Sequence, residues 1–174
     1  MTQKPPVQKL HPDQHAIPDI SDKQVELVGR TIVLWSKLEA ALDDTIWLLL
    51  GIHDEDGKII TRRMGADAKI QMLRTLGERK ISNQELLTSF NENLTLIGEL
   101  KDGRNFIAHG VWGTLMPDNI PIALSLKPKS EIGEVVSESF PVERMEAIIS
   151  GIRRTLDQLV NLPEALGIPR RVPE

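Results

Sequence analysis

The chain has 174 residues, 40% of them apolar, which is enough for one domain with a core of its own. Twenty-one Lys and Arg against 25 Asp and Glu leave a net charge of -4, which excludes a general affinity for polyanions and confines any nucleic-acid contact to a local patch. No cysteine is present, so disulfides, thiolate metal sites, a cysteine nucleophile and thiol redox chemistry are excluded as well.

The first 20 residues contain no apolar core of signal-peptide length, and no run of roughly 18 apolar residues occurs anywhere, so a cytoplasmic protein without a membrane segment is expected. Pro5, Pro6, Pro12 and Pro18 deny residues 1 to 20 both helix and ladder, which predicts an extended or disordered N-terminal arm. Ser21-Asp22-Lys23-Gln24 reads as a capping box. Behind it Val28, Ile32, Trp35, Glu39, Leu42, Ile46 and Leu49 alternate steps of four and three, predicting a long helix over 22 to 50 that Gly51 ends. The polar stretch His53 to Lys58 reads as a loop. A short helix near 67 to 79 follows, with Ile70, Leu73 and Leu76 on one face and Asp67 as its cap.

A second capping box, Ser82-Asn83-Gln84-Glu85, opens a helix in which Leu87, Phe90, Leu94, Ile97, Lys101, Arg104 and Ala108 keep the same rhythm. Its apolar stripe turns basic near the end, and Gly110 supplies the stop, placing His109 in the last turn. From 111 to 140 the pattern changes to short runs broken by Pro117, Pro121, Pro128 and Gly133, which predicts two or three strands in a small β-hairpin insertion. Pro141 suits the first position of a final helix carrying Val142, Met145, Ile149, Ile152, Leu156 and Leu159 until Pro163. The expected fold is mainly α: an antiparallel four-to-five-helix bundle over 21 to 166, with a β insertion before the last helix and a tail from 167 to 174.

Two apparent motifs fail on their chemistry. In GIHDEDGK, Gly51 to Lys58, one residue too many separates the glycines of a phosphate loop, and Ile59 stands where a hydroxyl must reach the metal. Aligned as a calcium loop, the same segment offers Ile52 and Arg63 where carboxylates are needed. His11 and His15 have metal-ligand spacing only on a helix that Pro12 opposes. No metal ligand set and no cofactor site is expected.

Glu39 stands in the apolar stripe between Trp35 and Leu42. Burial of a lone carboxylate costs several kcal/mol unless it is paired, so either Glu39 meets a cation inside the bundle, with Arg104 as the candidate, or the helix rotates and releases it. In Arg104-Asn105-Phe106-Ile107-Ala108-His109, Asn105 and His109 lie nearly one above the other, whereas Arg104 is about 140° from His109 around the axis. The guanidinium offers a planar fork for phosphate oxygens, the imidazole can exchange a proton near neutral pH, and the amide can orient either. Those groups suffice for phosphodiester cleavage without metal. Lys101, one turn earlier, is a phosphate-contact candidate, and the Arg62-Arg63 and Arg153-Arg154 pairs extend a basic path or serve as solvated faces. With only three Phe and three Trp, extensive base stacking is not expected.

The reading RNxxAHG over Arg104 to Gly110, with Trp35 to Glu39 on the first helix, resembles the HEPN superfamily. These helical-bundle proteins are defined by an arginine and a histidine separated by four to six residues, and the resemblance covers residues 22 to 162. It implies a homodimer whose facing motif helices make one composite cleft, and in active members a metal-independent endoribonuclease of toxin–antitoxin, phage-defence or RNA-processing systems. Carried onto this chain, it implies Arg104 as phosphate and transition-state anchor, His109 as general acid or base, Asn105 as the residue that orients them, RNA as substrate, and a protein partner such as an antitoxin. The opposing expectation is a catalytically inactive dimeric bundle in which Arg104 pairs with Glu39 and His109 only caps its helix, leaving a module that binds protein, RNA or nucleotide. The β insertion is not part of the minimal family bundle.

Overall fold

A computed structural model describes residues 15–17, 19–116, 120–126 and 135–168. The elements in chain order are β1 (His15–Ile17), α1 (Asp22–Leu50), α2 (Asp54–Thr61), α3 (Ala66–Lys80), α4 (Gln84–His109), β2 (Val111–Met116), β3 (Ile120–Leu126), β4 (Val135–Ser139) and α5 (Val142–Ala165). The protein is thus mainly helical, with a small antiparallel sheet before the last helix, as the periodicities predict. His11, Pro117, Pro128, Gly133 and the tail from 169 lie outside the described residues. Among the described residues, no helix is long and apolar enough to cross a membrane.

The chain forms two compact units: Met1–Ile32 with Asp102–Ile149, and Val33–Lys101 with Ser150–Glu174. In the first, the strands form an antiparallel meander in the order β1-β2-β3-β4. The sheet is larger than the expected hairpin because the end of the N-terminal arm joins it, with Ala16 opposite Leu115. Thr114 fastens that junction by donating its hydroxyl to the Asp19 carbonyl at 2.6 Å. The buried side chains of this unit include Leu27, Ile107, Ile122, Phe140, Met145 and Ile149.

The capping box at the start of α1 forms as predicted. The Ser21 amide donates to Gln24 Oε1 at 2.9 Å, and the Gln24 amide donates to Ser21 Oγ at 3.3 Å. The inner face of α1 keeps Trp35, Leu42, Ile46 and Leu49 of the predicted stripe and departs from it at Ile32 and Glu39. Leu27, Thr31, Trp35, Leu38, Leu42 and Ile46 are buried, whereas Ile32 is 39% exposed and Glu39 is only half-buried. Leu38, next to Glu39, is buried instead, which seats a leucine in the core and leaves the carboxylate within reach of water.

In the second unit, Lys69 lies beneath the surface with its ammonium 2.7 and 2.8 Å from the two Asp43 oxygens, tying α3 to α1. The segment read as a loop contains α2. Gly57, which suggests a turn in the sequence, lies flat against the Trp47 indole: a Cβ there would fall 2.5 Å from the ring. Two other boundaries move by chemistry the sequence leaves ambiguous. Asn83 rather than Ser82 caps α4, accepting from the Leu86 amide at 3.0 Å, and α3 begins after Gly65, so Asp67 falls inside its first turn. The last helix continues through Pro163. It stops where Gly167 takes φ +68° and the amides of Gly167 and Ile168 bond back to Glu164 and Pro163.

Asp44, on α1, has its carboxyl pKa raised, first by desolvation, then by Asp54 and Asp43, with Lys58 opposing. Its proton is therefore held more tightly in the folded chain than in the unfolded one. That contribution to stability is complete below the ordinary value of 3.8 and is lost as pH rises through the raised value. Asp44→Asn should raise the melting temperature at neutral pH and leave it unchanged in acid below 3.8, as calorimetry across pH would register. Gly57→Ala should destabilise by about 1–3 kcal/mol in chemical denaturation, since the added methyl must displace the Trp47 ring or α2 itself.

Candidate active site

The motif residues belong to the last two turns of α4, in the first unit. A helix terminus leaves its last carbonyls without intrahelical donors, and here two devices close it. The Gly110 amide returns to the Phe106 carbonyl at 2.8 Å, and Trp112, the second residue of β2, donates its indole N–H to the Ile107 carbonyl at 3.1 Å. The sheet that follows the helix thereby caps it.

Three rings build the support beneath. Phe140 is fully buried, 6.1 Å from the Phe106 centroid and 5.8 Å from that of Trp112. The Arg144 guanidinium lies 4.0 Å over the Phe140 ring and donates to the Ser139 carbonyl, so a cation-π contact and a hydrogen bond hold the ring from α5. One turn back, Gly103 lets α5 approach closely, since a Cβ there would lie 2.8 Å from Ile148 Cδ1. These contacts take up the inner face of the helix end, where Ile107 is buried.

The outer face carries the polar residues of the motif. Asn105 and His109 are exposed one helical turn apart, and Arg104 is half-buried beside them. Arg104 Nη1 donates to Asn105 Oδ1 at 3.1 Å, so the amide oxygen holds one edge of the guanidinium at the surface. The bond fixes one edge of a planar group of the kind that donates to two oxygens of a tetrahedral anion. His109 ends the helix and is exposed to solvent.

The other candidate residues stand elsewhere. Lys101 belongs to the second unit and forms a salt bridge with Asp67, so its charge is already matched by a carboxylate. Glu39 is also in the second unit, half-buried on α1. Arg62, Arg63, Arg153 and Arg154 are exposed, as a solvated basic face requires. Arg153 and Arg154 line a groove of about 590 Å³ between α4 and α5, together with Phe90, Asn93, Ser150 and Asp157. None of the motif residues lines it.

The periodic reading missed the support: Trp112, Phe140, Arg144 and Gly103. The available signal was a pair of aromatics placed just beyond the motif and just before the last helix, in a chain with six aromatics in all. No family model, curated protein or solved structure matches this chain. Replacing Trp112 by Phe keeps the ring packing and deletes the donor to Ile107. It should cost about 1 kcal/mol of stability in denaturant unfolding and loosen the last turn of α4 in hydrogen exchange.

Proposed function

We propose that this protein is a metal-independent endoribonuclease of the HEPN type, acting as a homodimer, and that Arg104, Asn105 and His109 are its catalytic residues. The observation that carries this reading is the surface-held Arg104 fork, bonded to Asn105 at 3.1 Å on the same helix end as the exposed His109. An anion-binding group and a proton-transfer group on one closed helix end are the minimal set for phosphodiester cleavage.

In this mechanism the RNA supplies its own nucleophile. One histidine accepts the 2′-OH proton as O2′ attacks phosphorus, Arg104 stabilises charge on the non-bridging oxygens, and the P–O5′ bond breaks. A second proton donor delivers its proton to O5′, leaving a 2′,3′-cyclic phosphate on one fragment and a 5′-OH on the other. Each helix end offers one histidine, so the second is His109 of another copy, which makes dimerisation part of the catalysis. A defence or toxin–antitoxin setting, with an antitoxin as regulator, belongs to the same reading.

One observation favours the alternative, a non-catalytic binding module. The Lys101–Asp67 bridge removes the nearest helix-borne lysine from a phosphate path. Incubation of wild type, His109→Ala and Arg104→Ala with total RNA in EDTA separates the two. Each variant should lose cleavage by about a hundredfold or more, with cyclic-phosphate ends only in the wild-type digest. Equal digestion by all three, or none by wild type, would leave the binding module standing.

A further inference from the structure

The groove that α4 and α5 form within the second unit has a polar group on its floor that the fold leaves half-bonded. Asn93 is 4% exposed and donates its Nδ2 to the Thr155 carbonyl at 3.2 Å, from one helix to the other. A carbonyl only accepts, so that bond fixes which end of the amide is nitrogen. The other end, Oδ1, is buried and has no donor in the chain. A buried acceptor is costly to leave unmet, and the groove that Asn93 lines is the side from which an N–H can reach it.

The lining is graded along the groove. Asn93 is level with Thr155, and Gly151 lies against Leu100, where a Cβ would fall 2.7 Å from Leu100 Cδ2. The two helices therefore run antiparallel, and following α4 back from Asn93 means following α5 forward. Just beyond the Asn93 end stand Arg153 and Arg154, both exposed and neither in an ion pair among the described residues. The opposite end is lined by Leu86, Phe90, Leu162 and Ala165. Asp157 lies between, on the α5 rim, and Glu92 belongs to a neighbouring groove on the other side of Arg154.

Two planar cations, a buried acceptor and an apolar run, met in that order, complement a molecule with a carboxylate, an adjacent N–H and an apolar tail. The span from Asn93 to Leu86 is two turns of helix, roughly 10 Å, and suits a tail of medium length. The volume of about 590 Å³ is that of a small-molecule site. A phosphate backbone would use the arginines alone and leave both Asn93 Oδ1 and the apolar end unmet.

We propose that this groove binds a small N-acyl amino acid, with the carboxylate on Arg153 and Arg154, the amide N–H on Asn93 Oδ1, and the acyl chain along Phe90, Leu86 and Leu162. No motif residue lines the groove, so the proposal stands or falls independently of the ribonuclease reading.

Titration calorimetry of the full chain with N-octanoylglycine should show one saturable site with a dissociation constant below about 1 mM. N-octanoylsarcosine keeps the carboxylate and the tail but carries a methyl in place of the N–H, and should bind about tenfold more weakly, as should the N-octanoylglycine methyl ester, which lacks the charge. Asn93 itself stays in place, because replacing it also removes the bond to Thr155. Arg153→Gln and Arg154→Gln, at exposed positions, should each weaken binding about fivefold with unchanged circular dichroism. Asp157→Asn should tighten it, Ala165→Trp should erase the advantage of octanoylglycine over acetylglycine, and His109→Ala should bind like wild type. Absence of saturable binding overturns the proposal. So does equal binding of the glycine and sarcosine amides, which would make the groove an unselective apolar surface, and so does binding that neither arginine substitution weakens. Inorganic phosphate competing as well as N-octanoylglycine would reduce the groove to an anion patch, and that also counts against it.

Discussion

The arrangement of the motif at the end of α4 depends on how that end is closed. A helix terminating at the surface has carbonyls seeking donors, and a frayed last turn would leave His109 with no fixed relation to Arg104. Trp112 resolves this with one hydrogen bond to the Ile107 carbonyl, and its ring packs against Phe140, which Arg144 covers with a cation-π contact. The polar groups that would do chemistry are thus positioned by apolar ones that do none. The motif's own Phe106 and Ile107 are part of that foundation, which gives physical content to the apolar letters between its arginine and histidine.

Much of the fold was legible because it follows from short-range rules. The helical stripes of α3, α4 and α5, the capping box at Ser21 and Gln24, and the glycine after Leu50 all express spacing or local bonding. What escaped depends on contacts distant in sequence. Gly57 looks like a turn residue until the Trp47 ring is placed against it, and the polar DEDGK stretch then becomes a helix. Ser82 and Asn83 are both good caps, and only the coordinates choose between them. The strand from the arm is three residues long and pairs with a segment nearly a hundred positions away, so no local pattern announces it.

The stripe read for α1 holds at Trp35, Leu42, Ile46 and Leu49 and fails at Ile32 and Glu39. Ile32 and Leu38 both stand three residues from Trp35, and periodicity alone has no means of saying which of them lies inward. The first choice placed Glu39 in the core; the coordinates bury Leu38 instead and leave Glu39 half-buried. At the site, residue types and spacing located Arg104, Asn105 and His109 together, because all three lie within six residues of one helix. Lys101 was a poorer choice, since charge alone does not reveal that Asp67, on another helix, already neutralises it.

The capping indole also makes strand register a determinant of the site. Trp112 stands opposite Ala123 in the β2–β3 ladder and reaches back to α4 only from that side of the sheet. Adjacent strand residues point to opposite faces, so a slip of one residue would carry the indole away from the helix and withdraw the donor from Ile107. The β insertion is therefore the part of the chain that tells α4 where to stop. Its pairing must be complete before Arg104 and His109 acquire a common frame.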